Sequence, residues 1–325
     1  MSFASIPEGL TSRTGLANLA RERVESSTFL PSIHAWVLHF LRQHAFLAIC
    51  LLFSVLGGNL SAKAVTGPHT QVDLISESNA ITPGRTFWVG LHFKLEPQWH
   101  IYWVNPGDSG EAPVVQWNLP PGFRAGQIQW PAPHRIETFT LVDYGYLEDV
   151  LLPVLIHPAA NLTPGSKVEL AATVKWLVCK NECIPAQGQL SLSLPVEKGS
   201  PRLTNPADRA LFARAQAHLP KPIPPGWKVS AVSEQNDFVL SIDSGSPESG
   251  AVFFPLETGQ INDAAPQEVL ARGRRLRLRL RKSDQLLKPL PVLNGVVVFP
   301  SGAAFLVHAR TTSKVPPVHP PIGVR

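Results

Sequence analysis

Two cysteines four positions apart are the residues of this chain best suited to chemistry. Cys179 and Cys183 lie in the run Trp176-Leu177-Val178-Cys179-Lys180-Asn181-Glu182-Cys183-Ile184-Pro185. A pair this close has three uses. As a structural staple it closes a very short loop, for which loop entropy gives only about 2 kcal/mol. A chain of this size can bury real cores and has little need of that help. As a redox pair it suits thiol–disulfide exchange, because short loops favour bonds that reduce easily. As a metal site it offers two thiolates and needs more ligands. No histidine stands within ten residues of either cysteine, so His100 or His134 would arrive only through folding. Met1 is the sole methionine, which excludes a thioether-rich copper site. Lys180 beside Cys179 favours a thiolate and Glu182 beside Cys183 opposes one, so the neighbours nearly cancel.

The elements around the pair set its compartment. Arg42-Gln43-His44 precedes an apolar run from Ala45 to Gly58, and Ser61-Ala62-Lys63-Ala64 follows. A basic flank, a short apolar run and an Ala-x-Ala end predict a signal peptide with a long amino-terminal extension over residues 1–64, cleaved after Ala64. The run falls short of the roughly 20 residues of a bilayer span. The alternative is an uncleaved anchor extended upstream through Trp36 to Leu41, which Arg42 interrupts. Cys50 falls inside this segment, so an exported product keeps only Cys179 and Cys183. In an oxidising compartment they pair.

The chain has 325 residues, 44% of them hydrophobic, 16% charged and 32 of them proline. So many prolines exclude long helical bundles, and the apolar fraction excludes a disordered chain. A net charge of +5 is too weak to point to nucleic acid, and no nucleic-acid partner is expected. No Ser-His-Asp order, paired-carboxylate spacing or glycine-rich phosphate loop stands out, and no cofactor or metal is expected.

From 65 to 200, short β-type runs such as Gln71–Ser76, Thr86–Phe93 and Lys167–Val174 alternate with Pro-Gly turns, which predicts an antiparallel sandwich. Over 201–226, Asn205-Pro206 starts a helix and a proline-rich linker follows. The β pattern resumes over 227–311 as a second β-sandwich domain, and 312–325 is a proline-rich tail. The predicted fold is therefore all-β: two sandwiches joined by a short helix.

Two further features stand out. Arg275, Arg277, Arg279 and Arg281 alternate with Leu276, Leu278 and Leu280, so period two places the arginines together on the face away from the core. That face is either a solvated, aggregation-blocking surface or a docking surface for an acidic partner or anionic lipid. Trp99-His100-Ile101-Tyr102-Trp103 is a dense aromatic cluster, followed by the loop Asn105-Pro106-Gly107-Asp108-Ser109-Gly110. Such a loop packs over a site or supports one. A lone histidine such as His100 is more often structural than a thiolate-tuning group.

Several of these segments, in order, resemble the amino-terminal periplasmic domain of the thiol:disulfide interchange protein DsbD, in its ScsB-like form. They are Trp99–Gly110, Ile128–Pro133, Asp143–Tyr146, Leu151–Val154 and Trp176–Pro185, and the resemblance spans roughly 70 to 200. It implies an immunoglobulin-like sandwich in the periplasm whose cysteine pair carries reducing equivalents as a protein-disulfide reductase-type dithiol carrier. It implies a thioredoxin-like or membrane-embedded electron donor and an exported disulfide-bearing client. Cys183 takes the role of the cysteine that joins partners and Cys179 the resolving role. Tyr144, Gly145 and Tyr146 match the family's cap loop, which shields the pair. The sequence holds neither the family's membrane segment nor its thioredoxin-like domain, so either separate proteins reduce the pair or the fold is kept for another purpose. The competing readings are a non-enzymatic sandwich with a structural disulfide and a copper-handling module.

Overall fold

The computed structural model describes residues 62–199 and 203–313. The predicted signal as far as Ser61, with Cys50, and the tail from Lys314 lie outside the described residues. Among the described residues no helix is long and apolar enough to cross a membrane.

The first part begins with β1 (Ala62–Lys63), β2 (Val65–Gly67), β3 (Thr70–Ser76) and β4 (Phe87–Leu95). Next come β5 (His100–Gly107), β6 (Val114–Asn118), β7 (Arg124–Ile128) and β8 (His134–Thr138). The last four are β9 (Leu141–Leu147), β10 (Asp149–His157), β11 (Lys167–Cys179) and β12 (Cys183–Pro195). They form two sheets. One runs β1-β12-β11-β5-β9-β8, with β6 also paired to β11, and the other runs β2-β3-β4-β10-β7. The alternation that marks these segments as strands is what joins the sheets. Val168, Leu170, Ala172, Val174, Trp176 and Val178 of β11 point inward, as do Val72 and Leu74 of β3, into one apolar core. This is an immunoglobulin-like sandwich, and the chain is all-β apart from one short helix among the described residues.

β10 departs from the alternation. Its residues Val150 to Val154 are all buried, because the helix Pro206–Ala217 covers its outer side. Phe212 and Ala215 of the helix pack on Leu151. Asn205 caps that helix, its side chain accepting from the Asp208 backbone N–H at 2.9 Å, and Pro206 opens the first turn.

The second part comprises β13 (Lys221–Pro222), β14 (Lys228–Ser233), β15 (Asp237–Asp243), β16 (Val252–Pro255), β17 (Glu268–Arg272), β18 (Arg275–Arg281), β19 (Val292–Val298) and β20 (Ala304–Ser313). These strands make one connected sheet, ordered β16-β19-β20-β14-β15-β18-β17 with β13 on β20. The long β20 links its halves, antiparallel to β19 through Ala304–Arg310 and parallel to β14 through Thr311–Ser313. Leu276, Leu278 and Leu280 of β18 are buried in its core, beside Leu240, Phe253 and Val297.

The two parts share apolar surface. Phe254 belongs to the core of the first sandwich, where its ring meets Tyr144 edge-on at 5.1 Å and Trp103 at 6.3 Å between centroids. Polar bonds frame the contact. The Tyr144 hydroxyl donates to Asp263 Oδ1 at 2.8 Å, and Asn105 Nδ2 donates to the Pro255 carbonyl at 2.8 Å. Burial pushes the Asp263 carboxyl up to about 6, against the lowering effects of the Tyr144 hydrogen bond and the Arg135 charge.

Candidate redox site

β11 and β12 form a hairpin paired along all 13 residues of each strand. Its tip is the three-residue turn Lys180-Asn181-Glu182, so Cys179 and Cys183 stand directly opposite each other as the last pair of the ladder. Their Cα atoms are 4.2 Å apart and their sulfurs are joined. A directly opposed, non-hydrogen-bonded antiparallel pair has about this spacing, so the pleat itself brings the thiols together.

The two sulfurs differ in surroundings. Cys179 is 2% exposed, because β5 crosses the hairpin there and pairs His100 with it. Cys183 is exposed. β12 pairs with β1 only at Ser191 and Leu192, so near Cys183 its outer edge has no partner strand among the described residues. An attacking thiolate must approach in line with the bond, and Cys183 is the sulfur that water and a partner can reach.

Beneath Cys183 lies a small polar cluster built from β5, β9 and the loop after β5. The Tyr102 hydroxyl is 3.4 Å from Cys183 Sγ. A disulfide sulfur carries no proton, so the hydroxyl donates. Burial pushes the Tyr102 hydroxyl up to about 12, which keeps that donor protonated at neutral pH. Ser109 Oγ donates to Asp143 Oδ1 at 2.8 Å, and Asp143 Oδ2 lies 3.5 Å from His100 Nε2. His100 and Asp143 are 1% and 2% exposed, and that imidazole nitrogen has no hydrogen-bond partner among the described residues. His100 and Tyr102 share a strand face, with ring centroids 5.2 Å apart. The loop supports the site: the Gly110 backbone lies flat on the Tyr102 ring, and a Cβ there would stand 2.1 Å from Tyr102 Cζ. Its φ of +80° also calls for glycine.

Replacing Tyr102 with Phe removes this donor. A hydrogen bond to a charged group contributes about 1.5–3 kcal/mol, and one pKa unit is about 1.4 kcal/mol. In the reduced Tyr102→Phe protein the Cys183 thiol is therefore expected to titrate about one to two units higher. Thiolate absorbance followed against pH reads this directly, and an unchanged titration would show that the hydroxyl does not touch the reduced sulfur.

The other residues singled out in the sequence take different places. Tyr144, Gly145 and Tyr146, matched to the family's cap loop by the resemblance, are part of a strand. They lie inside β9, paired on both edges with β5 and β8. Both tyrosines are buried, with their hydroxyls on Asp263 and on the Pro131 carbonyl. The pleat turns Tyr144 and Tyr146 toward the core while Asp143 and Gly145 share the face of His100 and Tyr102. What flanks the disulfide is Tyr102, held by the Ser109-Gly110 turn. His134 sits on β8 opposite Gly145, and no cluster of three or more metal-ligating side chains exists among the described residues. Arg275, Arg277, Arg279 and Arg281 are exposed on β18, in the sheet of the second part.

Sequence reasoning missed Tyr102 and Asp143 as site residues. The available signal was the aromatic cluster with its Asp-Ser-Gly loop. The missing information was the pairing of β5 with both β9 and β11.

Residues 71–195 match the family described as thiol:disulfide interchange protein DsbD, N-terminal. This segment is similar to a DsbD amino-terminal domain. The family match contains the whole hairpin and both cysteines of the DsbD-type domain, as well as Tyr102 and Asp143. Among solved structures, the N-terminal periplasmic domain of ScsB from Proteus mirabilis is similar in fold, with a TM-score of 0.58 and 19% sequence identity. The likeness covers 78% of this chain and 99% of that one, so it extends beyond the DsbD-type segment into the second sheet. No curated protein matches the chain.

Proposed function

We propose that this chain is a periplasmic thiol–disulfide exchange module that takes reducing equivalents from a thioredoxin-like or membrane-embedded donor and passes them to exported client proteins. The observation that carries the reading is the asymmetry of the disulfide: one sulfur open to a partner, the other buried beneath it. A staple has no use for that asymmetry. The ladder from Lys167–Pro195 to Cys179–Cys183 already fixes the hairpin, and the closed loop contributes only about 2 kcal/mol.

The chemistry runs in two steps. A donor thiolate attacks Cys183 Sγ, breaks the Cys179–Cys183 bond and forms a mixed disulfide, which the donor's second thiol resolves. The donor is oxidised by two electrons, and two protons end on the cysteines. The Cys183 thiolate then attacks a client disulfide. Cys179 attacks the Cys183 sulfur, the client leaves as a dithiol, and the internal bond reforms. In this sequence Cys183 joins partners and Cys179 resolves. Tyr102 donates to the Cys183 sulfur whenever it carries negative charge, while Ser109 and Gly110 hold that ring in place.

The test is the reduction potential of the purified protein, equilibrated against glutathione or thioredoxin. A value in the range of exchange catalysts, about −120 to −270 mV, is expected. A value below about −300 mV would mark the bond as inert and return it to the role of a staple.

A further inference from the structure

The arginine face of the second sheet is two surfaces. Across β15, β18 and β17 the register sets up rows. Arg281 faces Asp237, and Arg279 stands between Val239 and Glu268. This half is internally neutralised: Arg279 lies 3.0 Å from Asp237, 3.2 Å from Glu234 and 3.6 Å from Glu268, and Arg281 lies 3.3 Å from Asp237. The other half is different. Arg277 stands between Ser241 and Leu270, and Arg275 between Asp243 and Arg272. Arg274 joins them from the hairpin turn, and Lys228 of β14 extends the last row. Among the described residues only Asp243 answers these five cations, at 3.4 Å from Arg275 and 3.8 Å from Arg274. Arg272 and Arg277 have no ion pair among the described residues. The four arginines and Asp243 rim an open depression whose one apolar member, Leu270, is 65% exposed on the edge strand β17.

We propose that this half of the face docks the second sheet onto a bilayer surface rich in anionic phospholipid. Guanidinium groups bind phosphate in a two-pronged fork and give up water more readily than ammonium groups. A row of them over a few ångströms matches a dense array of headgroups, and Leu270 projects where the glycerol and upper acyl region would lie. The centre of the patch is charged. Protein–protein interfaces are instead depleted of charge at the centre and built on aromatic anchors, and none lines this depression. An aggregation-blocking edge would need charge but no exposed leucine amid the arginines.

The test is flotation of the full chain with vesicles, and it does not depend on the disulfide or its redox role. Phosphatidylcholine vesicles with about a third phosphatidylglycerol should carry the protein, and pure phosphatidylcholine should not. About 0.5 M NaCl should release it. Arg272→Glu combined with Arg277→Glu should lower partitioning at least about tenfold. Lys167→Glu with Lys198→Glu, an equal charge change at exposed positions of the first sandwich, should leave it nearly unchanged. The proposal fails if both double variants lose binding alike, which would mean net charge alone, or if neutral vesicles bind equally, which would mean apolar adsorption. It also fails if glycerol phosphate or polyglutamate competes at the concentration of the lipid phosphate. That result would assign the face to a soluble anion or an acidic protein.

Discussion

Cys183→Ser is expected to abolish exchange, while Cys179→Ser is expected to trap a covalent complex with the partner. The asymmetry follows from exposure. With Cys183 gone, the remaining thiol is 2% exposed beneath β5, and a macromolecular disulfide cannot reach it in line. With Cys179 gone, Cys183 remains open, attacks, and has no neighbour to resolve the mixed disulfide. The readout is a non-reducing gel after incubation with an oxidised disulfide isomerase or thioredoxin, with an insulin or glutathione assay for turnover. Loss of activity should exceed about a hundredfold in either single variant, because thiolate attack has no substitute route. Trapping by Cys179→Ser alone supports the assignment of Cys183 as the joining cysteine. The reverse pattern would exchange the two roles, and no trapping by either would leave the bond as a staple.

The second large effect is expected at Phe254, far from Cys183 in sequence. Its ring is 3% exposed, yet it sits in the core of the first sandwich, against Trp103 and Tyr144. Truncation of a buried Phe to Ala costs about 3–5 kcal/mol. Phe254→Ala should lower the urea-unfolding free energy by that amount, whereas Leu287→Ala, at a residue 90% exposed, should change it by less than about 0.5 kcal/mol. The loss should also reach the disulfide. β9 carries Tyr144, which faces Phe254 and Asp263, and next to it Asp143, which meets Ser109 and His100. A loosened second sheet therefore loosens the strand that backs the site, and the rate of reduction by dithiothreitol should rise. An unchanged stability would show that the two parts only touch.

Much of the fold was legible in the primary structure because local rules govern it. Alternation marks β11 and β18, Asn205-Pro206 marks the helix start, and Pro-Gly pairs mark turns. The residues matched to the family's cap are an instructive case. Only the resemblance placed Tyr144, Gly145 and Tyr146 at a cap, and in the fold Gly145 lies within a strand. A Cβ there would stand 2.1 Å from the Ile101 carbonyl oxygen, so glycine lets β9 press close to β5. Local composition cannot separate a glycine that bends the chain from one that admits a neighbour.

The arginine strand makes the same point with charge. Period two fixes that Arg275, Arg277, Arg279 and Arg281 share a face, but which of them are neutralised depends on Glu234, Asp237 and Asp243, brought opposite by the register of β15 and the turn before it.

By itself the sequence determined that two cysteines stand four positions apart, that the chain builds antiparallel sheets, and that the arginines face away from a leucine core. These follow from spacing, pleat and turn chemistry within a few residues. The tertiary structure alone decided which sulfur is open, that Tyr102 reaches Cys183 across 81 residues of chain, and that Phe254 completes the first core. Each of those depends on how strands distant in sequence pair and pack, which no local pattern specifies.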